Sequence, residues 1–596
     1  MKPSSSLVGL LLLIGLLVVT LLMLPGPVPR SANELSASDS AVIALSNARI
    51  FDGESVHEQA TLVIRDGRID ALRLDDALPE EADVIDIAGG TLLPGLIDAH
   101  VHAFNSARKD ALRFGVTTVL DMFRPPFDLD QTRAQRGALE RTDQADLYSA
   151  GFLATADGGH GTQYGIEVPT LSDPDQADAW VEARLSEGSD YIKIVIESGA
   201  AWGGHLPTLD AATVQALVRA THARGEMAVA HVSTQAAARI AVEAGVDGLV
   251  HLFADEPLDP ALAATLVEKD VFVIPTTTVL AGSHGQSGRG WLESDERLAS
   301  RLSTEQRQTL EQSFPGSQLR ASRWPMVLTS LRALHEAGVV LLAGSDAPNP
   351  ATAHGASLLH EIKLLTEAGL STIEALQAAT SVPAARFGLD HRGCLQPGCR
   401  ADIIWVDGNP LADIGALRQV EGVWKNGRRV DAAIETSVVP AAETPALDVP
   451  LDLHRAGRWL PSTDEFMGGQ SRAELQLDSS GRRVTVSGEL NPGFAFPYAG
   501  TMWNPGDEIM SAVNLSRAET LSLQLEATSG RFQLMIFSGD DPAAPPIRID
   551  LVANETNRID LTEYSGLDRS RLRAFGVYAT GPAESFEFTI RDAGLQ

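Results

Sequence analysis

The chain has 596 residues, 44% hydrophobic and 21% charged, with a formal net charge of -31. This length exceeds one ordinary core, so we expect two or three domains, although one barrel alone absorbs roughly 250 residues or more. The composition is that of a folded globular protein and excludes a disordered or multi-spanning chain. The acidic balance argues against binding to nucleic acid or to an anionic membrane surface, because clusters of Lys and Arg neutralise phosphates.

The N-terminal segment has the pattern of an export signal. Lys2 precedes an uncharged apolar run over residues 7–24, which Pro25 and Arg30 follow. The run is of marginal length for a spanning helix, and no clear small-x-small cleavage site follows it. We expect residues 1–30 to be either a cleaved signal peptide or a membrane anchor. In both cases the body is extracytoplasmic, either periplasmic or secreted, and an anchor would hold it at the inner membrane. A buried helix of a cytoplasmic protein is the alternative.

The chain contains two cysteines, Cys394 and Cys399. Two residues provide neither a disulfide framework nor a four-thiolate zinc site. They either form one local disulfide in an oxidising compartment or stay as two thiols, and their spacing alone does not decide between these states.

Short strands with turn signals between them occur on both sides of a long central segment. VIALSNARIFDG, ATLVIRDGRIDALR and VIDIAGGTLLPG come first, and ADIIWVDGNP and GVWKNGRRV follow much later. Asp-Gly and Gly-Gly pairs between apolar runs are turn signals. The pattern predicts one small β-sandwich assembled from residues 41–93 and 401–432.

The central segment, residues 94–400, alternates apolar strand candidates with helical patterns. The predicted strands are LIDAHVH, VTTVLDM, LYSAGFLAT, DYIKIVI, MAVAHV, GLVHLF, VFVIPTTTV and VVLLAGSD. Stretches such as DAATVQALVRATHARG and TIEALQAATSVPAARFG have apolar residues at helical spacing. Eight strand-helix units of this kind predict an α/β fold, a TIM (β/α)8 barrel.

The C-terminal part differs in composition and pattern. Residues 433–450 are rich in Pro, Ala and Thr without strong periodicity, which is typical of a linker. Residues 451–596 contain runs such as RRVTVSGEL, TLSLQLEA and RFQLMIFSG that alternate apolar and polar residues. This alternation predicts a separate all-β sandwich.

Four histidines fall at the predicted carboxyl ends of strands. His100 and His102 end the first strand, His231 the fifth and His251 the sixth. The carboxyl ends of barrel strands face one mouth, where active sites of this fold lie. Because side chains alternate along a strand, His100 and His102 point to the same side, as two ligands of one metal must. The four histidines together predict a metal site more strongly than they predict scattered core residues.

Two further residues fit this site. Asp346 ends the eighth strand, where a carboxylate would complete a metal site and take a proton from the attacking water; capping the following helix is the other interpretation. Lys193 lies within the apolar strand DYIKIVI, and a buried lysine requires a reason. The candidate reasons are a Schiff base, a general base, carbamylation by carbon dioxide into a metal-bridging carboxylate, or an ammonium group that reaches the barrel rim.

Loop residues near the predicted mouth are candidates for substrate contact. His160 and Tyr164 lie in the glycine-rich segment DGGHGTQYG after the third strand, and His205 lies in GGHLPTL after the fourth. Loops held by a rigid scaffold carry binding residues more often than structural ones.

PGLIDAHVH, the strand-borne Lys193, His231, His251 and GSDAP together resemble the amidohydrolase superfamily. The motif RGCLQPGCRADIIWVDGNP is similar to the stretch that returns the chain to the small sandwich in that superfamily. The likeness covers roughly residues 42–430. A lysine on the fourth strand is similar to the binuclear type, and the closer likeness is to the prolidase-like branch. Imidazolonepropionase is similar in sequence style but is mononuclear.

The resemblance implies two divalent metal ions, with zinc expected. His100, His102 and Asp346 would hold one ion, His231 and His251 the other, and carbamylated Lys193 and a hydroxide would bridge them. The implied activity is hydrolysis of an amide or peptide bond in a dipeptide or N-acyl amino acid. A lactonase or other ester hydrolase of the same superfamily is one alternative, and an inactive anchored binding protein is another.

The C-terminal sandwich resembles the complex I intermediate-associated family, which is galactose-binding-like. This resemblance implies a glycan or a protein as partner, or packing alone.

Overall fold

The computed structural model describes residues 42–74, 78–126, 129–162, 168–202, 204–314, 316–430, 447–463, 471–478, 482–490, 498–505, 512–539, 546–564, 566–581 and 585–596. The expected export segment and most of the expected linker lie outside these ranges. Among the described residues we find no helix with both the length and the apolar character needed to span a bilayer. The chain divides into two compact units. One comprises Met1–Gly151, Leu185–Tyr191 and Val246–Ala432, and the other comprises Phe152–Arg184, Ile192–Gly245 and Ala433–Gln596.

In the first unit, strands from both flanks form one hydrogen-bonded sheet, where the sequence predicted a small sandwich. Its strands are β1 (Val42–Phe51), β2 (Val56–Arg65), β3 (Arg68–Arg73), β4 (Asp83–Asp86) and β5 (Thr91–Pro94), and later β13 (Ile403–Val406), β14 (Val420–Lys425) and β15 (Arg428–Arg429). The order is β15-β14-β13-β5-β1-β2-β3, and β4 also pairs with β1. Ile404 of β13 pairs antiparallel with Leu93 of β5, which joins the two flanks. Buried apolar side chains from both flanks form one core beneath the sheet.

Seven of the eight predicted central strands are present. They are β6 (Leu96–Val101), β7 (Val116–Asp121), β8 (Asp146–Ser149), β9 (Ile192–Ile196), β10 (Ala228–Val232), β11 (Gly248–Val250) and β12 (Phe272–Ile274). In the first unit β6, β7 and β8 are parallel neighbours, and β11 pairs parallel with β12. In the second unit β9 pairs parallel with β10. Parallel strands that alternate with helices in this way are typical of a TIM-barrel-like α/β fold.

The prediction of an eighth strand over VVLLAGSD was wrong. Leu341 makes an isolated bridge to Val273, and Ala347 makes another to Val101, without a continuous strand between them. The prediction for VFVIPTTTV was also too long, because β12 ends at Ile274. Pro275 has no amide to donate to a ladder, and Thr276 has a left-handed backbone with φ of 46°.

Helices follow most of the central strands. They are α1 (Ala107–Arg113), α2 (Leu129–Gln135), α3 (Ala177–Ser186), α4 (Ala211–His222), α5 (Gln235–Ala244), α6 (Pro260–Glu268), α7 (Thr277–Ser283), α8 (Arg289–Leu292), α9 (Glu296–Ala299), α10 (Thr304–Glu311), α11 (Ser317–Arg320), α12 (Trp324–Glu336), α13 (Ala356–Glu367), α14 (Thr372–Gln377) and α15 (Ser381–Arg386). N-cap residues in the sequence explain where two of these helices begin. Asp210 caps α4 by accepting the amide of Thr213 at 2.8 Å, and Thr234 caps α5 in the same way through Ala237.

The C-terminal region is rich in strands. It contains β16 (Leu451–Asp452), β17 (Arg458–Thr463), β18 (Arg472–Leu477), β19 (Arg483–Glu489), β20 (Tyr498–Asn504), β21 (Thr520–Ala527), β22 (Arg531–Ser538), β23 (Ile547–Leu551), β24 (Glu555–Asp560), β25 (Leu572–Thr580) and β26 (Ser585–Leu595). One sheet has the order β18-β19-β26-β21-β24, with β16 beside β26, and the other has the order β17-β20-β25-β22-β23. Both sheets contribute to one apolar core, in which the ring of Trp503 stacks on that of Phe575.

Cys394 and Cys399 form a disulfide with a Cα–Cα distance of 6.1 Å. The short loop between them lies against the flank sheet, because the amide of Leu395 donates to the carbonyl of Asp52 and that of Gly398 donates to the carbonyl of Ile69. Of the two cysteine states that the sequence left open, the structure has the disulfide.

A buried ion network joins β8 to the flank sheet. Nζ of Lys425, which is fully buried, lies 2.9 Å from Asp146 and 2.8 Å from Asp402. Arg392 also pairs with Asp146, at 2.8 Å. Burial alone would raise the pKa of Asp146, but the charges of Lys425 and Arg392 outweigh it and lower the pKa.

Candidate metal centre

His100 and His102 lie at the carboxyl end of β6, as the sequence predicted. Alternation along the strand directs both imidazoles to the same side. Nε2 of His100 lies 3.3 Å from Oδ1 of Asp346, and Nε2 of His102 lies 3.1 Å from the same oxygen. His100 is fully buried, whereas His102 is about one-fifth exposed. Two imidazole nitrogens therefore converge on one carboxylate oxygen.

The backbone fixes Asp346 opposite these two histidines. The amide of Asp346 donates to the carbonyl of His100 at 2.8 Å, and Asp346 has a left-handed φ of 53°. Such a conformation is uncommon outside glycine, although aspartate adopts it more readily than most residues. Burial would raise the pKa of Asp346, but the neighbouring imidazoles of His100, His102 and His251 hold it well below its usual range. The carboxyl group is therefore an ionised, electron-rich ligand candidate.

His251 completes this group. It directly follows β11 with a left-handed φ of 72°, and its ring centroid lies 4.8 Å from that of His100. Its Nδ1 lies 3.8 Å from Oδ2 of Asp346 and 2.8 Å from the hydroxyl of Thr276. One ligand atom from each of His100, His251 and Asp346 lies within 4.8 Å of the other two.

These residues fit a divalent metal ion. Oδ1 of Asp346 is buried and makes no hydrogen bond of acceptable geometry to any described residue, although two imidazole nitrogens lie close to it. A buried carboxylate oxygen without a hydrogen bond is costly unless another group satisfies it. Imidazole nitrogen and carboxylate oxygen are the donors that zinc binds. His100, His102, His251 and Asp346 could therefore hold a metal between them.

Asp98 is a buried residue of the site that the sequence analysis missed. Its carboxyl group accepts the amide of Ser345 at 2.9 Å, the hydroxyl of Ser345 at 2.6 Å and the amide of His100 at 3.3 Å. Burial raises the pKa of Asp98 to about 7, although the hydrogen bonds oppose this effect. A signal was available, because Asp98, His100 and His102 alternate along β6 and so share one face.

Glu361 was missed as well. It lies on α13, is fully buried, and accepts the amides of Thr277 and Thr278. Burial raises the pKa of Glu361 to about 8, against the effect of these amides. An acid between the apolar residues of LLHEIKLL was the only signal in the sequence.

The other predicted ligands, Lys193 and His231, belong to the second unit, where both are buried. Val195 of β9 pairs with His231 of β10, and Lys193 lies two residues before Val195. Because paired residues of parallel strands point to the same side, Lys193 and His231 share one face of this sheet. The structure thus brings these two predicted ligands together on neighbouring strands.

Glu197 and His160 lie beside His231. Nε2 of His231 is 3.5 Å from Oε2 of Glu197, and the rings of His160 and His231 have centroids 4.7 Å apart. Burial would raise the pKa of Glu197, but hydrogen bonds from His231 and Ser233 outweigh it, and the pKa is lowered to about 2. Glu197 is a further residue that the sequence analysis did not single out.

The three predicted substrate contacts have different positions. His160 is half-buried in a turn next to His231, whereas His205 is exposed in the segment after β9. Tyr164 lies outside the described residues. Of the two described contacts, His160 lies beside a predicted ligand and His205 is exposed.

Residues 91–430 match the Amidohydrolase family. Because the match covers more than half of the chain, and because the fold and the His and Asp cluster agree with it, this chain belongs to the amidohydrolase family.

Individual relatives of this family are only distantly similar to this chain in sequence. Ochratoxinase from Aspergillus niger is 25% identical over 259 residues, which are 42% of this chain and 48% of that protein, so the chain spans about half the length of this curated relative. The structure of a putative prolidase from Bifidobacterium longum is 25% identical with a TM-score of 0.53 and covers 66% of this chain and 95% of its own. A Xaa-Pro dipeptidase with methionine bound in its active site is 23% identical with a TM-score of 0.53, covering 65% of this chain and 100% of its own. At this level of identity the dipeptidase supports the fold alone.

Proposed function

We propose that this protein is a metal-dependent hydrolase that cleaves an amide or peptide bond in a small substrate of the dipeptide or N-acyl amino acid type. The observation that carries the proposal is the buried Oδ1 of Asp346, on which Nε2 of His100 and Nε2 of His102 converge at 3.3 and 3.1 Å. Membership of the amidohydrolase family supports the reaction class. The likeness to a putative prolidase and to ochratoxinase favours an amide substrate over other C–N bonds.

Two divalent ions, with zinc the expected element, are part of this proposal. His100, His102 and Asp346 would hold one ion, His231 and His251 the other, and a carbamate on Lys193 would lie between them. Bound metal ions would lower the pKa of a water molecule and polarise the scissile carbonyl. Lys193 is suited to carbamylation because it is buried on β9 on the same face as His231.

Asp346 is the proposed proton carrier. One oxygen of its carboxylate would take a proton from the attacking water and deliver it to the leaving nitrogen. The low pKa of Asp346 agrees with a carboxyl group that is ionised at neutral pH. His160, Tyr164 and His205 remain the proposed substrate contacts, and the position of His160 beside His231 supports the first of them.

The proposal extends to the rest of the chain. The seven central strands, together with the segment that carries the isolated bridges of Leu341 and Ala347, would close into a barrel, as in other amidohydrolases. The N-terminal segment would export the protein to the periplasm or beyond, as a signal peptide or an inner-membrane anchor, and the disulfide fits an oxidising compartment. The C-terminal sheets would form a galactose-binding-like domain that binds a glycan or a protein.

The decisive experiment is a substrate screen on the full-length protein together with metal analysis. The panel contains dipeptides, N-acyl amino acids, and lactones and other esters, with zinc and bicarbonate added. We expect cleavage of one of the amide classes. Activity confined to lactones or esters would replace the amidase proposal with an ester hydrolase. Less than one metal equivalent per chain with no hydrolysis would favour an inactive binding protein.

Asp346→Asn tests the proposed proton carrier. We expect kcat to fall by about 10²- to 10⁴-fold, the usual contribution of general acid–base catalysis. Asp270→Asn is a matched control, because Asp270 also has a left-handed backbone, φ 55°, but forms an exposed ion pair with Arg386. Asparagine tolerates this conformation, so neither substitution strains the chain. Equal activity of the two variants would show that Asp346 is not the proton carrier.

A further inference from the structure

We infer that Glu361 is a positioning residue that orients the imidazole of His251 from a distance, through the first turn of α7. This inference rests on the proposed function, because it takes His251 as a metal ligand. Glu361 touches neither His251 nor Asp346 in the contacts described above. Its effect would pass through Thr276, the residue that connects β12 to α7.

The carboxyl group of Glu361 caps α7. It accepts the amide of Thr277 at 2.9 Å and the amide of Thr278 at 2.6 Å, and these are the first two residues of the helix. The first amides of a helix have no partner within the helix and need one from outside. Glu361 is fully buried on α13, so the cap comes from a rigid helix distant in sequence.

Thr276 occupies the N-cap position of α7 but makes no side-chain capping bond. A threonine at this position ordinarily accepts an amide of the first turn with its own hydroxyl. Here that hydroxyl lies 2.8 Å from Nδ1 of His251 instead. Because Glu361 supplies the cap, the hydroxyl of Thr276 is available to hold the imidazole of His251.

The backbone of Thr276 shows that this arrangement needs support. Its φ of 46° and ψ of 47° are left-handed, which is rare for a β-branched residue and costs free energy. The two amides that follow are held by Glu361, and the hydroxyl of Thr278 lies 2.8 Å from Nδ1 of His360. Contacts from α13 thus hold the start of α7 in the conformation that directs Thr276 toward His251.

The test compares Glu361→Gln with Glu367→Gln in the full-length protein. Glutamine keeps the size of Glu361 but places an amide group against one of the two backbone donors. We expect the dissociation constant for Zn²⁺, from chelator competition, to rise about 10- to 100-fold, the usual effect of removing support behind a metal ligand. We also expect kcat to fall with KM unchanged. Glu367 is on the same helix, is exposed and pairs with Lys363, so Glu367→Gln should leave both quantities unchanged.

A double-mutant cycle separates positioning from a structural role. Thr276→Val should weaken Zn²⁺ binding as Glu361→Gln does. Because both substitutions act through His251, the double variant should bind Zn²⁺ no more weakly than the single variant with the higher dissociation constant. Fully additive effects would overturn the inference, as would a dissociation constant for Glu361→Gln within twofold of the wild type. Wild-type protein that binds no Zn²⁺ would contradict the proposed function instead. If circular dichroism shows Glu361→Gln unfolded, Glu361→Asp takes its place in the same cycle.

Discussion

Asp98 accepts hydrogen bonds from both the amide and the hydroxyl of Ser345, at 2.9 and 2.6 Å. Asp98 lies two residues before His100 on β6, and Ser345 directly precedes Asp346. The contact therefore joins the strand that carries two candidate ligands to the segment that carries the third. It fixes the distance between the two histidines and the aspartate before any metal binds.

Ser345→Ala should weaken this connection. The substitution removes the hydroxyl and leaves a buried carboxylate oxygen without its donor, so we expect the free energy of unfolding in urea to fall by about 1–3 kcal/mol. We also expect weaker Zn²⁺ binding, because Asp346 is less firmly held. Ser330→Ala removes a buried serine from α12, a helix that carries no candidate ligand, and is the control. If the two variants bind Zn²⁺ equally well, the contact does not support the site.

Lys193→Ala tests the proposed bridge between two metal ions. Without a carbamate, we expect the metal content to fall below two ions per chain and the rate to fall with it. Short carboxylic acids such as acetate should restore part of both, because they return a carboxylate to the vacated space. The exposed Lys269→Ala should change neither quantity. A metal content that stays at two would show that Lys193 does not bridge.

His360 should make the stability of the metal-free protein depend on pH. Burial, with a smaller effect from the charge of Lys363, lowers the pKa of His360 to about 3, so the folded protein keeps this imidazole neutral. The unfolded chain protonates it near pH 6.5 and then binds more protons than the folded one. The free energy of unfolding therefore falls as the pH drops from 6.5 toward 3, by at most about 1.4 kcal/mol per pH unit from this histidine.

His360→Phe should make that decline shallower. Urea unfolding in the presence of a chelator at pH 7, 6 and 5 gives the slope for each protein. The comparison of slopes is unaffected by the constant loss that follows from leaving the hydroxyl of Thr278 without its imidazole partner. Identical slopes would mean that His360 titrates normally in the folded state.

Lys425→Met should strongly destabilise the protein, although it changes no residue of the candidate site. It leaves Asp146 and Asp402 buried without their shared cation, and breaking such a pair costs about 3–5 kcal/mol. Thermal unfolding measures the loss. Lys363→Met breaks the more exposed pair with Glu367 and should cost less than about 1 kcal/mol. Similar losses in the two variants would show that the buried network contributes little.

The sequence predicted seven of the central strands because each contains a short apolar run between helical patterns. The predicted strands LYSAGFLAT and VFVIPTTTV extend past the ends of β8 and β12, and the predicted eighth strand is not a continuous strand. Thr276 has a left-handed backbone that terminates β12, and periodicity carries no information on such a conformation. In the eighth segment, Gly344 lies so close to His100 and Ile274 that a side chain would not fit, and only Leu341 and Ala347 make bridges.

The sequence singled out the candidate ligands but not the residues that hold them in place through hydrogen bonds. His100, His102, His251 and Asp346 could be found because each follows or ends an apolar run, and a strand is present at three of these four positions. Asp98, Ser345, Thr276 and Glu361 act through hydrogen bonds between segments far apart in the chain, up to 247 residues in the pair of Asp98 and Ser345. No spacing rule in the sequence reveals such a pair.

The flank sheet has a consequence for the order of events during synthesis. The hydroxyl of Thr91 on β5 donates to the carbonyl of Gly408, which lies 317 residues later in the chain. Leu93 of β5 pairs with Ile404 of β13, which is also synthesised late. Until the ribosome has made the central segment that lies between β5 and β13, β5 is an open sheet edge, which is prone to pair with other chains. The protein must therefore complete this sheet late, and any product that stops before β13 should aggregate rather than fold.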